Sequence, residues 1–286
     1  TDTFTNDRYE ELFYQSVIPQ IPKLRGAVVF LHGFGDHGSG YLNFFEHLAE
    51  SGYAVFCFDY IGHGKSEGDR AFFEKYQYML DDIDQFISLC KNEVDKANLE
   101  VNKWNLIGIS FGGLLSALTI VRELHTFNNV VLIAPSINVP LTWVLWVQKQ
   151  FAFVLSTLFP KWRIVPGVVR EKLSREEDAL RGYDMDDLSF HGLAPARSGE
   201  QILYAMEELS SKKFSFKTPL LMVMGDDERV VCTTSIREFY RDVQSQDKEL
   251  IVFEEAGHML MRESKSLEVE NRIIQWLDER SPFPTK

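Results

Sequence analysis

The stretch LIGISFGGLL (residues 106–115) places Ser110 between two glycines, after an apolar run and before a helix-like one. A strand, a tight turn and a helix in this order lift a serine hydroxyl above the edge of a sheet. Gly108 and Gly112 lack the side chains that would clash at such a turn. The G-x-S-x-G pattern alone is weak, so its meaning depends on what the rest of the chain supplies.

The patterns around this stretch predict an α/β fold. Short apolar runs alternate with helical periodicity, which is typical of a mostly parallel sheet with helices on both faces. A long core-facing helix is predicted from apolar residues that recur at three- and four-residue steps between Phe72 and Val94. The predicted strands cover residues 27–32, 53–59, 104–109, 129–134, 218–225 and 249–255.

The alternation lapses between about Pro135 and Lys217, where helical patterns and loops are predicted but no strand. An insertion of this length between strands of one sheet is typical of a cap over the carboxyl edge, where open α/β sheets bind ligands. We therefore predict a core of residues 1–135 and 218–286, with a helical cap (lid) at 136–217.

A serine hydroxyl needs a neighbouring base to take its proton, so a histidine is expected near Ser110. In this topology the chain order is serine, acid, histidine. Four of the seven histidines precede Ser110, His125 falls at the far end of the following helix, and His191 lies in the insertion. His258 directly follows the last predicted strand and is the predicted base.

The acid that orients the base should follow the strand before it, at residues 218–225. Three carboxylates stand there in a row, Asp226, Asp227 and Glu228. One of them must turn inward to hold the imidazole tautomer and stabilise its protonated form. Either Asp or Glu can do this, so the residues alone leave the choice open.

The chain resembles the monoacylglycerol lipase and lysophospholipase-like group of α/β-hydrolases, from about residue 25 to the C-terminus. The matching stretches are FLHGFGDHGSGY, FDYIGHGKSEG, LIGISFGG, IAPS, LLMVMGDDERVV and FEEAGHMLMRE. The resemblance implies Glu228 as the acid, three residues after the strand-ending glycine where the group usually has Asp, with Asp227 as the alternative. It also implies an oxyanion hole formed by the backbone N–H groups of Phe34 and Phe111.

One departure from this group concerns the alcohol half of the substrate. Its members often read H-G-x-G-E-H-x-x-R-Y, whereas this chain reads HGFGDHGSGY, with Asp36 for the glutamate and Gly40 for the arginine. If these positions shape the alcohol side of the pocket, glycerol recognition has changed or been lost. Asp36 is a candidate substrate-binding residue.

The cap contains the aromatic-rich stretch LTWVLWVQKQFAFVLSTLF (141–159), which polar residues interrupt well short of a membrane span. We predict an amphipathic helix. Its Trp143, Trp146 and Phe151 either pack against the core or line an acyl-chain tunnel that touches a lipid interface. Basic residues in and near this stretch offset the negative charge of the rest of the chain, so transient membrane contact is a hypothesis. These residues are Lys149, Lys161, Arg163 and Arg170.

The composition of the chain limits the kinds of partner that it can bind. A net charge of −12 would repel nucleic acid and anionic surfaces, so a small neutral molecule is the expected ligand. We expect no cofactor and no metal, because no H-E-x-x-H, spaced ligand set or phosphate loop is found. The first residues lack the basic and apolar regions of a signal peptide, so a cytoplasmic location is expected, peripheral to membranes if the cap touches them.

These features together predict a serine hydrolase that cleaves carboxylic esters of medium or long acyl chains through an acyl-enzyme intermediate. The alternative is a serine peptidase or an acyl-protein or thioester hydrolase with the same triad. The aromatic cap favours acyl chains over peptides. A non-catalytic binding protein of the same fold is disfavoured, because all three triad residue types occur in order.

Overall fold

The computed structural model describes residues 1–21, 23–138 and 154–284. Its strands are β1 (Asp2–Thr5), β2 (Glu11–Val17), β3 (Gly26–Leu31), β4 (Tyr53–Phe58), β5 (Trp104–Ile109), β6 (Asn129–Ile133), β7 (Arg163–Pro166), β8 (Leu193–Pro195), β9 (Leu220–Gly225) and β10 (Lys248–Phe253). In this described part, eight strands form one sheet in the order β1-β2-β4-β3-β5-β6-β9-β10. The pairs from β4 to β10 are parallel, and β1 and β2 add an antiparallel edge.

Helices cover both faces of this sheet, as predicted. The helices are numbered α1 (Leu42–Glu50), α2 (Tyr76–Lys96), α3 (Phe111–Val121), α4 (Arg170–Leu173), α5 (Glu177–Asp184), α6 (Ala196–Lys212), α7 (Thr233–Asp242) and α8 (Ser266–Arg280), and α4 and α5 lie apart from the sheet in a small cluster with Met259. One apolar cluster packs α2, α3, α6 and α7 against one face, and another packs α1 and α8 against the other. The side chains of β3 alternate between the two clusters, which explains why that strand is apolar throughout.

The prediction of no strand between Pro135 and Lys217 is wrong. The strands β7 and β8 form a separate antiparallel pair with a register shift between Arg163 and Val165. At four and three residues, both are too short to display a two-residue period in the sequence.

The helix α6, which lies inside the predicted cap, packs on the core. Its Ala205 and Leu209 are fully buried in the cluster that also contains α2 and α3. The division into core and cap at 136–217 therefore stays a prediction. Most of the predicted amphipathic helix 141–159 lies outside the described residues, and the part at 154–158 is helical. Within the described ranges no helix is long and apolar enough to cross a membrane.

The packing of α3 on β3 gives a test of the fold around Ser110. A Cβ atom at Gly112 would overlap the carbonyl oxygens of Leu31 and His32, which belong to or adjoin a central strand. We expect Gly112→Ala to lower the free energy of unfolding by at least about 2 kcal/mol, because backbone cannot move aside as a flexible side chain can.

The matched control is Gly182→Ala in α5, where an added Cβ meets nothing within 4 Å. Alanine should leave stability unchanged or raise it by up to about 1 kcal/mol, since it favours the helix. Urea unfolding of both variants would measure the difference. Equal stability of the two would contradict the close contact between α3 and β3.

Candidate active site

Ser110 lies on a strained turn between β5 and α3. Its backbone has φ 53° and ψ −114°, a region that non-glycine residues seldom adopt. The turn is so tight that a Cβ at Gly108 would overlap Gly112 O and Ser116 Oγ. The two glycines of the G-x-S-x-G pattern thus allow strand, turn and helix to pack without intervening side chains.

Backbone hydrogen bonds hold this turn on both sides. The N–H of Ser110 donates to Ile133 O at 2.9 Å, and its carbonyl accepts from Ser136 N at 3.0 Å. The Ser110 hydroxyl lies 3.2 Å from Ser136 Oγ and 3.1 Å from His258 Nε2. Neighbouring strand ends therefore fix the strained conformation, and the hydroxyl is presented to the imidazole.

His258 follows β10 on a loop that is tied down at three points. Its backbone N–H donates to Leu173 O at 2.9 Å, as does that of Met259 at 3.1 Å. The N–H of Gly257 donates to the buried Glu263 carboxylate at 2.8 Å. On the imidazole, Nε2 faces Ser110 while Nδ1 lies 2.7 Å from Glu228 Oε2. Both ring nitrogens are thus engaged at once.

The structure brings Glu228 rather than Asp227 to the histidine. The Glu228 side chain is fully buried, and its second oxygen accepts the N–H groups of Val230 (2.7 Å) and Val231 (3.1 Å). Asp227 instead lies near the surface, where it pairs with Arg175 at 2.6 Å and with Arg229 at 3.2 Å.

Glu228 and His258 each stabilise the charged form of the other. Burial alone would raise the pKa of Glu228, but the imidazolium of His258 and the three hydrogen bonds hold it below its usual value. Burial alone would lower the pKa of His258, but the Glu228 carboxylate raises it above its usual value. A carboxylate that stays ionised beside an imidazole of raised basicity can assist proton removal from a serine hydroxyl.

The two predicted oxyanion donors flank Ser110. Phe111 follows it as the first residue of α3, where backbone N–H groups have no partner in the preceding turn of helix. Phe34 follows Gly33, and a Cβ at Gly33 would lie 3.6 Å from Ser110 Cβ. The rings of Phe34 and Phe111 pack edge to face with centroids 6.0 Å apart. These contacts hold the loop at 33–36 against the start of α3.

A cavity opens beside Ser110 and His258, and its walls come from both the core and the predicted cap. Asp36 lies in its wall, as do Tyr41 and Arg262. Tyr183, in α5, contributes a phenol ring. The apolar part of the wall consists of Phe34, Ile109, Val168, Leu173, Met259 and Met261. The cavity therefore combines one polar cluster with a mainly apolar lining.

Residues of the predicted cap also bond directly to the loop that carries Phe34. The N–H of Phe190 donates to Gly35 O at 2.6 Å. His37 Nε2 lies 2.8 Å from Asp186 Oδ2. Together with the Leu173 carbonyl that accepts from the His258 loop, these bonds connect the predicted cap to both sides of the site.

Trp143, Trp146 and Phe151 lie outside the described residues. Sequence reasoning did not single out Ser136 or Arg262, although both stand in quoted stretches, IAPS and FEEAGHMLMRE. Their positions in the sequence were the available signal, because Ser136 closely follows a predicted strand and Arg262 closely follows His258. In the part of the chain described, no cluster of three His, Cys or acidic residues could hold a metal.

His32 is structural. Its Nδ1 lies 2.8 Å from Gly33 O and its Nε2 accepts the N–H of Tyr60 at 3.2 Å. Burial lowers the pKa of His32 to about 4 and that of the equally buried His63 to about 3. Both rings are therefore neutral at pH 7. His32 serves to brace the loop that leads to Phe34.

The fold and the geometry around Ser110 define an α/β-hydrolase. The chain belongs to the α/β-hydrolase family described as serine aminopeptidase, S33, whose family model matches residues 22–265.

Three relatives illustrate the similarity. An uncharacterized abhydrolase domain-containing protein of Dictyostelium discoideum is 27% identical over 98% of this chain, which spans 29% of that protein's length. Monoglyceride lipase of Rattus norvegicus is 29% identical over 89% of this chain and 83% of its own length. The crystal structure of Paleococcus ferrophilus monoacylglycerol lipase has a TM-score of 0.81 at 25% identity, covering 94% of this chain and 99% of the other.

These similarities confirm the predicted fold class and the resemblance to the monoacylglycerol lipase group. They also confirm the prediction of a serine hydrolase acting on esters. Although the family description names an aminopeptidase, the peptidase alternative is not favoured by them.

The contact between Glu228 and His258 predicts how the imidazole titrates. Removal of the charge in Glu228→Gln should lower the pKa of His258, because burial then acts without the opposing carboxylate. The Asp227→Asn variant should leave the titration unchanged, since Asp227 pairs with arginines instead. NMR titration of the His258 ring in the three proteins measures this. A larger shift in Asp227→Asn would contradict the assignment.

Proposed function

We propose that the protein cleaves carboxylic esters of medium or long acyl chains, with monoacylglycerols as the first candidates, and that Ser110, His258 and Glu228 form its catalytic triad. The observation that carries the proposal is the hydrogen-bonded series Glu228–His258–Ser110 beside a mainly apolar cavity. The relatives from Rattus norvegicus and Paleococcus ferrophilus, named as monoglyceride and monoacylglycerol lipases, support the substrate class.

In the proposed reaction, Ser110 Oγ attacks the ester carbonyl carbon while its proton passes to His258 Nε2. Glu228 stabilises the resulting imidazolium, and the N–H groups of Phe34 and Phe111 hold the oxyanion. The carbon–oxygen bond to the alcohol then breaks, and His258 returns the proton to the departing oxygen. Water, deprotonated by His258, hydrolyses the acyl-serine and regenerates the enzyme.

The cavity lining supports an acyl chain over an amino-terminal peptide. Recognition of a free amino group requires an available carboxylate. Asp36 is the one acidic residue among the described residues that line the cavity, and Arg262 neutralises it at 2.5 Å. The apolar wall, which includes Met259 and Met261, matches a hydrocarbon chain instead.

Initial rates on p-nitrophenyl esters of about two to sixteen carbons, beside monoacylglycerols and an aminoacyl anilide, test this proposal. We expect a maximum at about eight or more carbons, because each buried methylene adds apolar binding energy. Ser110→Ala should lower kcat by about 10⁴-fold or more.

A fluorophosphonate should label the wild type rapidly, and neither Ser110→Ala nor His258→Ala. Preference for acetyl esters or the anilide would leave the triad in place but overturn the long-chain substrate. Undiminished activity of Ser110→Ala would overturn the proposed nucleophile.

We further propose that the cap region makes transient contact with lipid surfaces. Leu158 (65% exposed), Phe159 and Trp162 present apolar side chains to solvent. The rings of Phe159 and Trp162 pack together with their centroids 5.2 Å apart. Lys161 is paired with Asp69, and Arg170 with Glu177 and Asp184. These pairs leave apolar surface rather than charge as the main attraction.

Co-sedimentation with phosphatidylcholine vesicles tests this contact. The double variant Phe159→Ser, Trp162→Ser should bind at least about 10-fold more weakly, because two large apolar side chains no longer enter the interface. The control is Leu267→Ser on α8, an exposed leucine outside the cap, which should bind as the wild type does. Equal weakening of binding in both variants would contradict a contact specific to the cap. Strong inhibition of binding by salt would contradict an apolar attraction.

A further inference from the structure

Ser110 is bonded to one neighbouring segment of the chain through each of its polar atoms. Its N–H donates to Ile133 O at 2.9 Å, and its carbonyl accepts the N–H of Ser136 at 3.0 Å. Its side-chain oxygen lies 3.2 Å from the hydroxyl oxygen of Ser136. The segment 133–136, at the end of β6, therefore holds both the backbone of the strained turn and the hydroxyl that the turn presents.

The backbone of this segment is itself strained. Ala134 has φ 41°, in the left-handed region that favours glycine. It also precedes Pro135, and a residue before proline is normally extended. A hydrogen bond from the Ala134 N–H to Val223 O at 2.7 Å holds this conformation. Backbone strain of this kind is concentrated at functional sites, and here the strained turn leads directly to Ser136.

The hydroxyl of Ser136 is buried, and it is directed at the nucleophile. Ser136 is 9% exposed, and within the described part of the chain its hydroxyl bonds to Ser110 Oγ. Buried hydroxyl groups are nearly always hydrogen-bonded, so this contact satisfies the group. Ser136 is absent from the described residues that line the cavity. Its side chain therefore acts on the nucleophile rather than on the acyl chain or the alcohol of a substrate.

The charges of the site assign the direction of this hydrogen bond. The ionised Glu228 carboxylate only accepts, so the neutral imidazole of His258 carries its proton on Nδ1, 2.7 Å from Glu228 Oε2. His258 Nε2 is then an acceptor, and it receives the hydrogen bond of the Ser110 hydroxyl at 3.1 Å. Because the single proton of Ser110 is directed to His258, the hydroxyl of Ser136 must donate to Ser110 Oγ.

A donor to Ser110 Oγ has its largest effect while that oxygen carries charge. The oxygen gains negative charge as its proton moves to His258 Nε2, before its bond to the ester carbonyl carbon is complete. It gains charge again when the bond to the acyl group breaks. A hydrogen bond to a charged acceptor is roughly twice as strong as one between neutral groups. The Ser136 hydroxyl, which keeps its own proton throughout, therefore stabilises these transition states more than the resting enzyme.

We propose that Ser136 is a further catalytic residue, whose hydroxyl donates to Ser110 Oγ and stabilises the negative charge on that oxygen during attack on the ester and release of the acyl group. The backbone bonds between Ser110 and the segment 133–136 hold the donor in place. This proposal rests on the proposed role of Ser110 as the nucleophile, and it does not depend on which ester the protein cleaves.

The test measures the second-order rate of fluorophosphonate labelling beside kcat/KM for p-nitrophenyl butyrate and p-nitrophenyl laurate. In Ser136→Ala we expect all three rates to fall by about 10- to 100-fold, because the charged oxygen loses a donor. The three losses should agree within about 3-fold, since the substituted group contacts the nucleophile and not the acyl chain. Ser136→Thr keeps the hydroxyl and should retain most of the rate, whereas Ser136→Cys fills the site with a weak donor and should not.

The matched control is Ser116→Ala in α3, which removes a fully buried hydroxyl that donates to Gly112 O at 2.7 Å. That hydroxyl bonds to helix backbone instead of a triad group, so the three rates should stay within about 3-fold of the wild type. NMR titration of the His258 ring provides a second readout. Ser136→Ala should leave the pKa of His258 unchanged, and a shifted pKa beside the loss of rate would assign Ser136 a structural role.

The remaining outcomes overturn the proposal in distinguishable ways. A faster rate in Ser136→Ala would show that Ser136 accepts the proton of Ser110 and competes with His258. An unchanged labelling rate would remove Ser136 from the catalytic residues and leave the proposed triad intact. A loss confined to one of the two esters would place Ser136 in substrate binding. A wild type that is not labelled would overturn the proposed nucleophile, and with it the role of Ser136.

Discussion

The register of four neighbouring parallel strands sets the distances within the site. Phe253 at the end of β10 pairs with Gly225 at the end of β9, and Ile109 at the end of β5 pairs with Ile133 of β6. Carboxyl ends of parallel strands meet at one edge of the sheet. Ser110, Glu228 and His258 follow three of these ends, so their side chains meet although they are far apart in the chain.

Burial of the Glu228 charge is the second constraint. An ionised carboxylate inside a protein is costly unless it is paired and hydrogen-bonded. Glu228 meets this condition through His258 on one oxygen and two backbone N–H groups on the other. The group that this chain resembles usually has Asp there. The hydrogen bonds from Val230 and Val231 to Oε1 hold the longer glutamate side chain so that Oε2 faces the imidazole.

The six parallel strands, Ser110 and His258 could be predicted because each depends on a local pattern or on chain order, whereas the antiparallel edge strands β1 and β2 were not predicted. The choice of Glu228 could not follow from periodicity, since a loop gives no regular direction to its side chains. The strand pair β7 and β8 was missed because it is short, and the ion pair between Asp36 and Arg262 because it joins residues 226 positions apart. Pairings of this kind depend on tertiary packing, which no short stretch of sequence encodes.

Two backbone contacts join the predicted cap to the loops of the site. Leu173 O receives the N–H groups of His258 and Met259, and Phe190 N–H donates to Gly35 O. Both contacts use backbone atoms, which every residue type other than proline supplies. These two anchors of the loops that carry His258 and Phe34 therefore do not depend on which side chains stand at positions 173 and 190, in contrast to the side-chain contact between Asp186 and His37. These backbone contacts hold the proposed catalytic groups in position. In the proposed reaction, the side chains of the cavity wall select the substrate.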